Sequence, residues 1–164
     1  MNILDHLNEK IQLVDGAPCY GGEDAVKQVV ATSPISLPED YLAFLRSISG
    51  AADDEDENAG VEFEVTVKDD ALSLWIFSAQ FALEKYAEYK EDAAPLYDDI
   101  IDKIWPVGND LGDLLYFYGE GKDGFGLYVA EEGALFLESA DKIADTLTDF
   151  LVKGTGIDTA FWSD

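Results

Sequence analysis

The stretch that most constrains the fold of this chain is Ile104–Ala130, which joins apolar runs to glycine-rich turns. Leu114–Tyr118 is continuously apolar and rich in aromatic residues, which predicts a strand buried on both faces. The cluster Gly119–Gly124 predicts a tight turn, because glycine readily takes the positive φ that such turns need. Phe125–Ala130 predicts the second strand of a hairpin, and Gly108–Asp113 predicts another tight turn before it.

Helical spacing of apolar residues predicts a set of helices around this sheet. The clearest begins at Pro38, which suits a first helical turn, and ends at Gly50, which suits a left-handed cap. Its buried side would carry Tyr41, Leu42 and Leu45. The other predicted helices are Asn2–Val14, Asp24–Ala31, Ala79–Glu91 after the N-cap Ser78, Leu96–Ile104, and Ala140–Lys153 after the N-cap Ser139.

Alternating or continuous apolar residues predict three further strands, Val61–Lys68, Ala71–Phe77 and Leu135–Leu137. In Val61–Lys68 the valines and Phe63 would face one way, while Glu62, Glu64 and Thr66 would face solvent. Helices and strands do not alternate regularly, which favours the α+β class. We expect one domain over residues 1–164, with the tail 154–164 docking on it.

The charge of the chain restricts its partners. It has 35 acidic and 10 basic residues among 164, a formal net charge of −25 and a pI near 4.1. Such a surface repels nucleic acids and anionic membranes and attracts cations and basic proteins. The alternative, that the acidity serves only solubility or a salty habitat, stays open. An aromatic content of 12% argues against disorder.

Several features favour a cytoplasmic location. No apolar run approaches the roughly 18 residues of a membrane span. The amphipathic and acidic N-terminus lacks the basic start and apolar core of a signal peptide. Cys19 is the single cysteine, so no internal disulfide can form.

The sequence lacks the residues that most catalytic and cofactor-binding sites require. His6 is the only histidine, and with Cys19 it cannot supply the usual ligands of a zinc site. Gly119, Gly121 and Gly124 match a dinucleotide-binding pattern, but a strand rather than the required helix is predicted after them. Asp54, Asp56 and Asn58 alternate as in a calcium loop, but its glycine and final glutamate are missing. We therefore expect no cofactor, no metal and no catalytic residue.

A binding protein that uses acidic and aromatic residues is the remaining interpretation. Opposite charge would speed association with a basic protein, and apolar anchors would hold it. The candidate contact residues are acidic side chains of two exposed segments: Asp53, Asp54, Glu55, Asp56, Glu57, Asp110 and Asp113. The tryptophans Trp75, Trp105 and Trp162 more often belong to a core than to a ligand site.

Four segments described above resemble motifs of the SUKH superfamily of bacterial immunity proteins and fungal cell-wall-assembly regulators. Leu37–Leu45, closed by Gly50, is similar to its opening motif. The Trp75 strand and Pro106–Tyr118 are similar to its second motif, a turn with Gly and Asp before an apolar strand. The segment Ser139–Leu151 fits its closing helix. The resemblance covers about residues 1–153.

This resemblance implies an α+β fold with helices on one mixed, mostly antiparallel sheet of about five to six strands. It also implies a non-enzymatic role: bacterial members typically bind and neutralise a polymorphic toxin, often a nuclease or a deaminase. A regulatory or scaffold module of the same fold, with a cellular partner, is the alternative. A hydrolase that uses carboxylates alone is a third hypothesis, because carboxylate pairs are abundant in this sequence.

Overall fold

One antiparallel sheet of seven strands forms the centre of the fold, and the strands lie in the sheet in their sequence order. The computed structural model describes residues 3–15, 23–48, 60–92, 102–131, 137 and 140–160. The strands are β1 (Ile11–Asp15), β2 (Gly60–Val67), β3 (Asp70–Phe77), β4 (Ile104–Asn109), β5 (Leu114–Gly121), β6 (Gly124–Glu131) and β7 (Asp141–Ala144). The predicted α+β class is confirmed, with one strand more than the five to six expected.

Five α-helices accompany the sheet in the described ranges: α1 (Glu23–Thr32), α2 (Glu39–Ile48), α3 (Ala79–Asp92), α4 (Leu147–Leu151) and α5 (Ile157–Ala160). The first three lie where the apolar spacing predicted them. Ser78 is the predicted N-cap of α3, since its Oγ accepts a hydrogen bond from the backbone N–H of Phe81 at 3.2 Å. Gly50, the predicted end of α2, lies outside the described residues. None of these helices is both long and apolar enough to cross a membrane.

The two faces of the sheet differ in burial across β2 and β3. Val61, Phe63 and Val65 are fully buried, as their alternation predicted. In the register of the two strands they lie opposite Ile76, Leu74 and Leu72 of β3, respectively, and so share a face with them. We call this side the packed face. The opposite side carries Glu62, Glu64 and Thr66.

Helix α2 packs against this packed face through aromatic residues. Tyr41 is fully buried, its ring centroid lies 5.3 Å from that of Tyr118 in β5, and its hydroxyl accepts a hydrogen bond of 3.0 Å from the indole N–H of Trp105 in β4. The hydroxyl of Tyr118 in turn accepts the backbone N–H of Leu147 at 2.7 Å. Two hydrogen bonds and the ring contact between Tyr41 and Tyr118 therefore join α2, the sheet and α4.

The hairpin of β5 and β6 agrees with its sequence prediction. The strands extend further into the glycine cluster than expected, so that Gly121 lies opposite Gly124 across the turn. Gly124 has φ +92°, a conformation that glycine adopts without strain. The chain continues from Gly124 as strand β6, and the helix that a dinucleotide site requires is absent at this described position.

The predicted first helix, Asn2–Val14, is wrong. Only Ile3–Asp5 forms a short 3-10 helix, and Ile11–Asp15 is the strand β1. Ile11 and Leu13 also fit an alternating pattern, and the edge of β2 offers backbone partners. The backbone N–H of Thr66, for example, donates to the carbonyl oxygen of Lys10 at 2.8 Å. Pairing with this edge prevails over the helical spacing.

The predicted last helix, Ala140–Lys153, is wrong in its first half. Asp141–Ala144 is the edge strand β7, which pairs with β6. Helix α4 begins at Leu147, and its N-cap is Thr146, whose side chain accepts the backbone N–H of Asp149. The expected N-cap, Ser139, lies outside the described residues.

Three smaller predictions also need correction or lie partly outside the described ranges. Ile104 opens β4 instead of closing a helix, and residues 96–101 are not among those described. Leu137 lies in a turn instead of a strand, while the rest of that predicted strand is outside the described ranges. Gly108 and Asn109 belong to β4, so the turn before β5 is shorter than predicted.

Candidate functional site

The side of β1, β2 and β3 opposite the packed face is open to solvent. Gln12, Glu64 and Thr66 are exposed, as is Ala71, and Glu62 is half-buried. Strand register places Glu64 between Gln12 of β1 and Ser73 of β3. We call the surface formed by Gln12, Glu62, Glu64, Thr66, Ala71 and Ser73 the open face.

The open face carries two carboxylates, those of Glu62 and Glu64. Neither Glu62 nor Glu64 forms an ion pair within the part of the chain that the structure describes. The described ion pairs lie elsewhere: Arg46 with Glu39, Lys85 with Glu88, Lys122 with Asp141, Lys142 with Asp145, and Lys153 with Asp149. A basic surface placed against the open face would meet carboxylates that are not already paired.

Trp75 forms an aromatic border to the open face. It lies opposite Glu62 in the register of β2 and β3 and is half-buried. Its ring packs against Phe77 and Phe81, with centroid distances of 5.2 and 4.9 Å. Trp75 is therefore held rigidly by the core while part of it stays accessible, which suits an anchor residue of a protein interface.

The turn 110–113 lies beside this surface, because Asn109 at the end of β4 pairs with Trp75. One carboxylate oxygen of Asp110 accepts the backbone N–H groups of Gly112, at 2.9 Å, and of Leu114, at 3.1 Å. Asp113 is exposed and has no ion pair among the described residues. Asp110 thus shapes the turn, and Asp113 presents its charge to solvent.

Burial and negative charge raise the pKa of Tyr116, a tyrosine of β5 close to this turn. Burial raises the pKa of Tyr116 well above its usual range, and the negative charge of Asp110 raises it further. Tyr116 therefore stays neutral as a hydrogen-bond donor, and its hydroxyl donates to the carbonyl of Ala160 in α5 at 2.9 Å. The acidic turn and the C-terminal helix α5 are both next to this residue.

The sequence-predicted contact residues fall into two groups. Asp110 and Asp113 lie together in the turn beside Trp75. The run Asp53, Asp54, Glu55, Asp56 and Glu57 lies outside the described residues. Chain connectivity places its end three residues before Gly60, the first residue of β2.

The described structure also locates residues of other sites that the sequence raised. His6 is exposed next to the 3-10 helix. Within the described ranges, no three His, Cys, Asp or Glu side chains are grouped to hold a metal ion. A groove of about 210 Å³ between α1 and α2 is lined by Glu23, Val26, Lys27, Val30 and Arg46. Among the described residues that line it, Glu23 supplies the one carboxylate.

Sequence comparison places the chain in a family. The model of the SMI1 / KNR4 family (SUKH-1) matches residues 22–153. The chain belongs to this family. The match begins just before α1 and runs through α4, so β1 and α5 lie outside it in this SUKH-1 protein. Comparisons with curated proteins and with solved structures found no match.

Proposed function

We propose that this SUKH-1 protein is a bacterial immunity protein. It would bind and neutralise a basic toxin domain of the nuclease or deaminase class in the cytoplasm, without catalytic activity of its own. The interface would be formed by the open face, Trp75 and the turn 110–113. Membership of the SUKH-1 family supports a role in binding a protein partner.

The open face is the observation that carries this proposal. It joins Glu62 and Glu64, two carboxylates that form no ion pair with another described residue, to the rigid aromatic ring of Trp75. Nuclease and deaminase sites are basic because their substrates carry phosphates. Carboxylates on an open sheet face can take the place of those phosphates. Charge attraction would speed the encounter, and Trp75 would supply apolar contact.

The test uses the toxin domain encoded next to the gene of this chain, purified as a catalytically inactive variant. We expect the full chain to bind it at equimolar ratio, with an affinity that falls as salt is raised. The double variant Glu62→Lys/Glu64→Lys should weaken binding at least tenfold, about 1.4 kcal/mol. The matching active toxin should lose its activity when the wild-type chain is added.

A matched control separates local contact from net charge. The variant Glu84→Lys/Glu91→Lys changes two exposed carboxylates of α3. Each double variant adds four units and moves the formal net charge from −25 to −21. We expect the α3 variant to bind nearly as the wild-type chain does. Equal losses in the two variants would contradict the assignment of the open face.

The other hypotheses predict different results. A regulatory module would have no toxin gene beside its own and would bind a cellular protein through the same fold. A carboxylate-only hydrolase would act on a substrate without any partner. Absence of binding to the neighbouring toxin domain, or continued toxin activity in the complex, would overturn the immunity proposal.

A further inference from the structure

We propose that Leu111 is a preorganised apolar anchor that inserts into a pocket of the basic partner. This inference rests on the proposed function and assigns the central contact of its interface. Leu111 lies in the turn 110–113, and 53% of its surface is exposed. The sequence analysis assigned Asp110 and Asp113 to the interface but did not identify the leucine between them.

The backbone conformation of Leu111 is unusual for its residue type. Its φ is +62°, a left-handed conformation that is unfavourable for a leucine and is usually taken by glycine, asparagine or aspartate. Val14, Val30 and Phe125 are the other exposed large apolar residues of the described chain, and none of them has a positive φ. Strain of this kind persists where function requires a particular side chain.

Neighbouring side chains hold Leu111 in this conformation. The side-chain oxygen of Asn109 accepts the backbone N–H of Leu111 at 3.0 Å. Asp110 accepts the N–H groups of the two residues Gly112 and Leu114 on the other side. An apolar side chain on a turn fixed in this way loses little conformational entropy on binding. It is therefore suited to be an energetically dominant contact.

The charges around the turn indicate the chemistry of the partner. Leu111 is flanked by Asp110 and Asp113, and Asn109 connects the turn to Trp75 on the border of the open face. A pocket that accepts this leucine would be apolar at its base and lined by lysine or arginine at its rim. A second copy of this chain, with its net charge of −25, would be repelled at this position. The partner is therefore a basic protein.

The test compares Leu111→Asn with the wild-type chain against the same inactive toxin domain. Asparagine tolerates the left-handed conformation and removes the apolar side chain. We expect at least tenfold weaker binding together with an unchanged or higher melting temperature. If the leucine has a structural role, the same substitution should lower the melting temperature. The melting temperature therefore distinguishes a structural role from an anchor role.

Two control variants match the two properties of Leu111. Lys68 has φ +57° in the turn between β2 and β3, so Lys68→Asn repeats the change of backbone preference. Val30 of α1 has the same exposed fraction, 53%, so Val30→Asn repeats the loss of an exposed apolar group. We expect Val30→Asn, which lies away from the proposed interface, to bind within about twofold of the wild-type chain. Lys68 follows β2 and is two residues from Thr66 of the open face, so Lys68→Asn is the control for the melting temperature alone.

The outcomes distinguish this inference from the proposed function. If the wild-type chain binds and Leu111→Asn binds equally well, the anchor role is overturned and the immunity proposal stands. If Leu111→Asn lowers the melting temperature, the side chain has a structural role and the anchor role is again overturned. If the wild-type chain does not bind the toxin domain, the proposed function itself fails.

Discussion

Asp40 in the first turn of α2 accepts two hydrogen bonds from Thr148 in the first turn of α4. Its carboxylate oxygen Oδ2 lies 3.0 Å from the backbone nitrogen and 2.7 Å from the hydroxyl oxygen of Thr148. One carboxylate thus caps a helix whose sequence position is 108 residues away. The contact fixes α4, and through it the C-terminal part of the fold, to α2.

Removal of this carboxylate should destabilise the fold. We expect Asp40→Ala to lower the free energy of unfolding by about 1–3 kcal/mol, because two hydrogen-bond donors lose a charged acceptor. Urea denaturation checks this value. Asp24→Ala, an exposed first-turn acid of α1, is the control and should change it by less than about 0.5 kcal/mol. Equal effects would show that the cross-helix contact is energetically unimportant.

The hydrogen bond between Trp105 and Tyr41 gives a second prediction. Both side chains are fully buried, so Tyr41→Phe leaves the indole N–H of Trp105 without its acceptor. We expect a loss of about 1–3 kcal/mol in the free energy of unfolding, from the desolvated donor. Trp105→Phe in the Tyr41→Phe background should cost less than it does alone, as a double-mutant cycle would measure. Additive costs would contradict the coupling.

The stability of the protein should fall steeply at alkaline pH. Burial raises the pKa of Tyr41, Tyr116 and Tyr118 above the ordinary value of 10.0. Above pH 10 the unfolded chain therefore releases protons that the native protein retains, and the free energy of unfolding decreases as pH rises. Three phenols together contribute a slope of about −4 kcal/mol per pH unit.

Urea denaturation between pH 8 and 11 measures this slope, with phenolate absorbance as a second readout. The contribution of these phenols should be complete below about pH 10, the pKa of the unfolded phenols. Tyr116→Phe should reduce the slope by about a third, since one of the three phenols is removed. The chain has eight tyrosines, so the comparison with Tyr116→Phe assigns the signal. A rise in phenolate absorbance at an ordinary pKa that is lost in Tyr116→Phe while the protein stays folded would contradict burial of this ring.

The acidic run Asp53–Glu57 remains a prediction from the sequence. If it belongs to the interface, its charge reversal should slow association with the basic toxin domain more than it speeds dissociation, and the effect should shrink at high salt. Stopped-flow association rates at low and high salt measure this. Unchanged association kinetics would remove the run from the contact surface.

The fold was predictable where local signals agreed with the tertiary environment. Helix α2 had a start signal at Pro38 and one apolar stripe, and both indicated the structure that forms. Ile11 and Ile143 fitted a helical period, yet each lies in an edge strand, because backbone groups of β2 and β6 were available to pair with them. The spacing of apolar residues within one segment does not show whether another strand has an unpaired edge to which that segment can bind.

The candidate site was predictable only in part. The alternation of β2 already indicated that Glu62 and Glu64 face solvent, and the acidic residues of the turn were recognised. The position of this turn next to Trp75 depends on the register between β3 and β4, which the sequence does not specify. Leu111 was missed because its significance lies in a positive φ. The adjacent Asn109 and Asp110, which favour such turns, were the available signal.

The sequence order of the strands has a consequence for folding. Each strand pairs with the one made just before it, so the sheet can grow by single additions during synthesis without waiting for a distant strand. The contact of Asp40 spans a much longer interval, since Thr148 is synthesised 108 residues later. We therefore expect α2 to gain this restraint only after Thr148 has emerged.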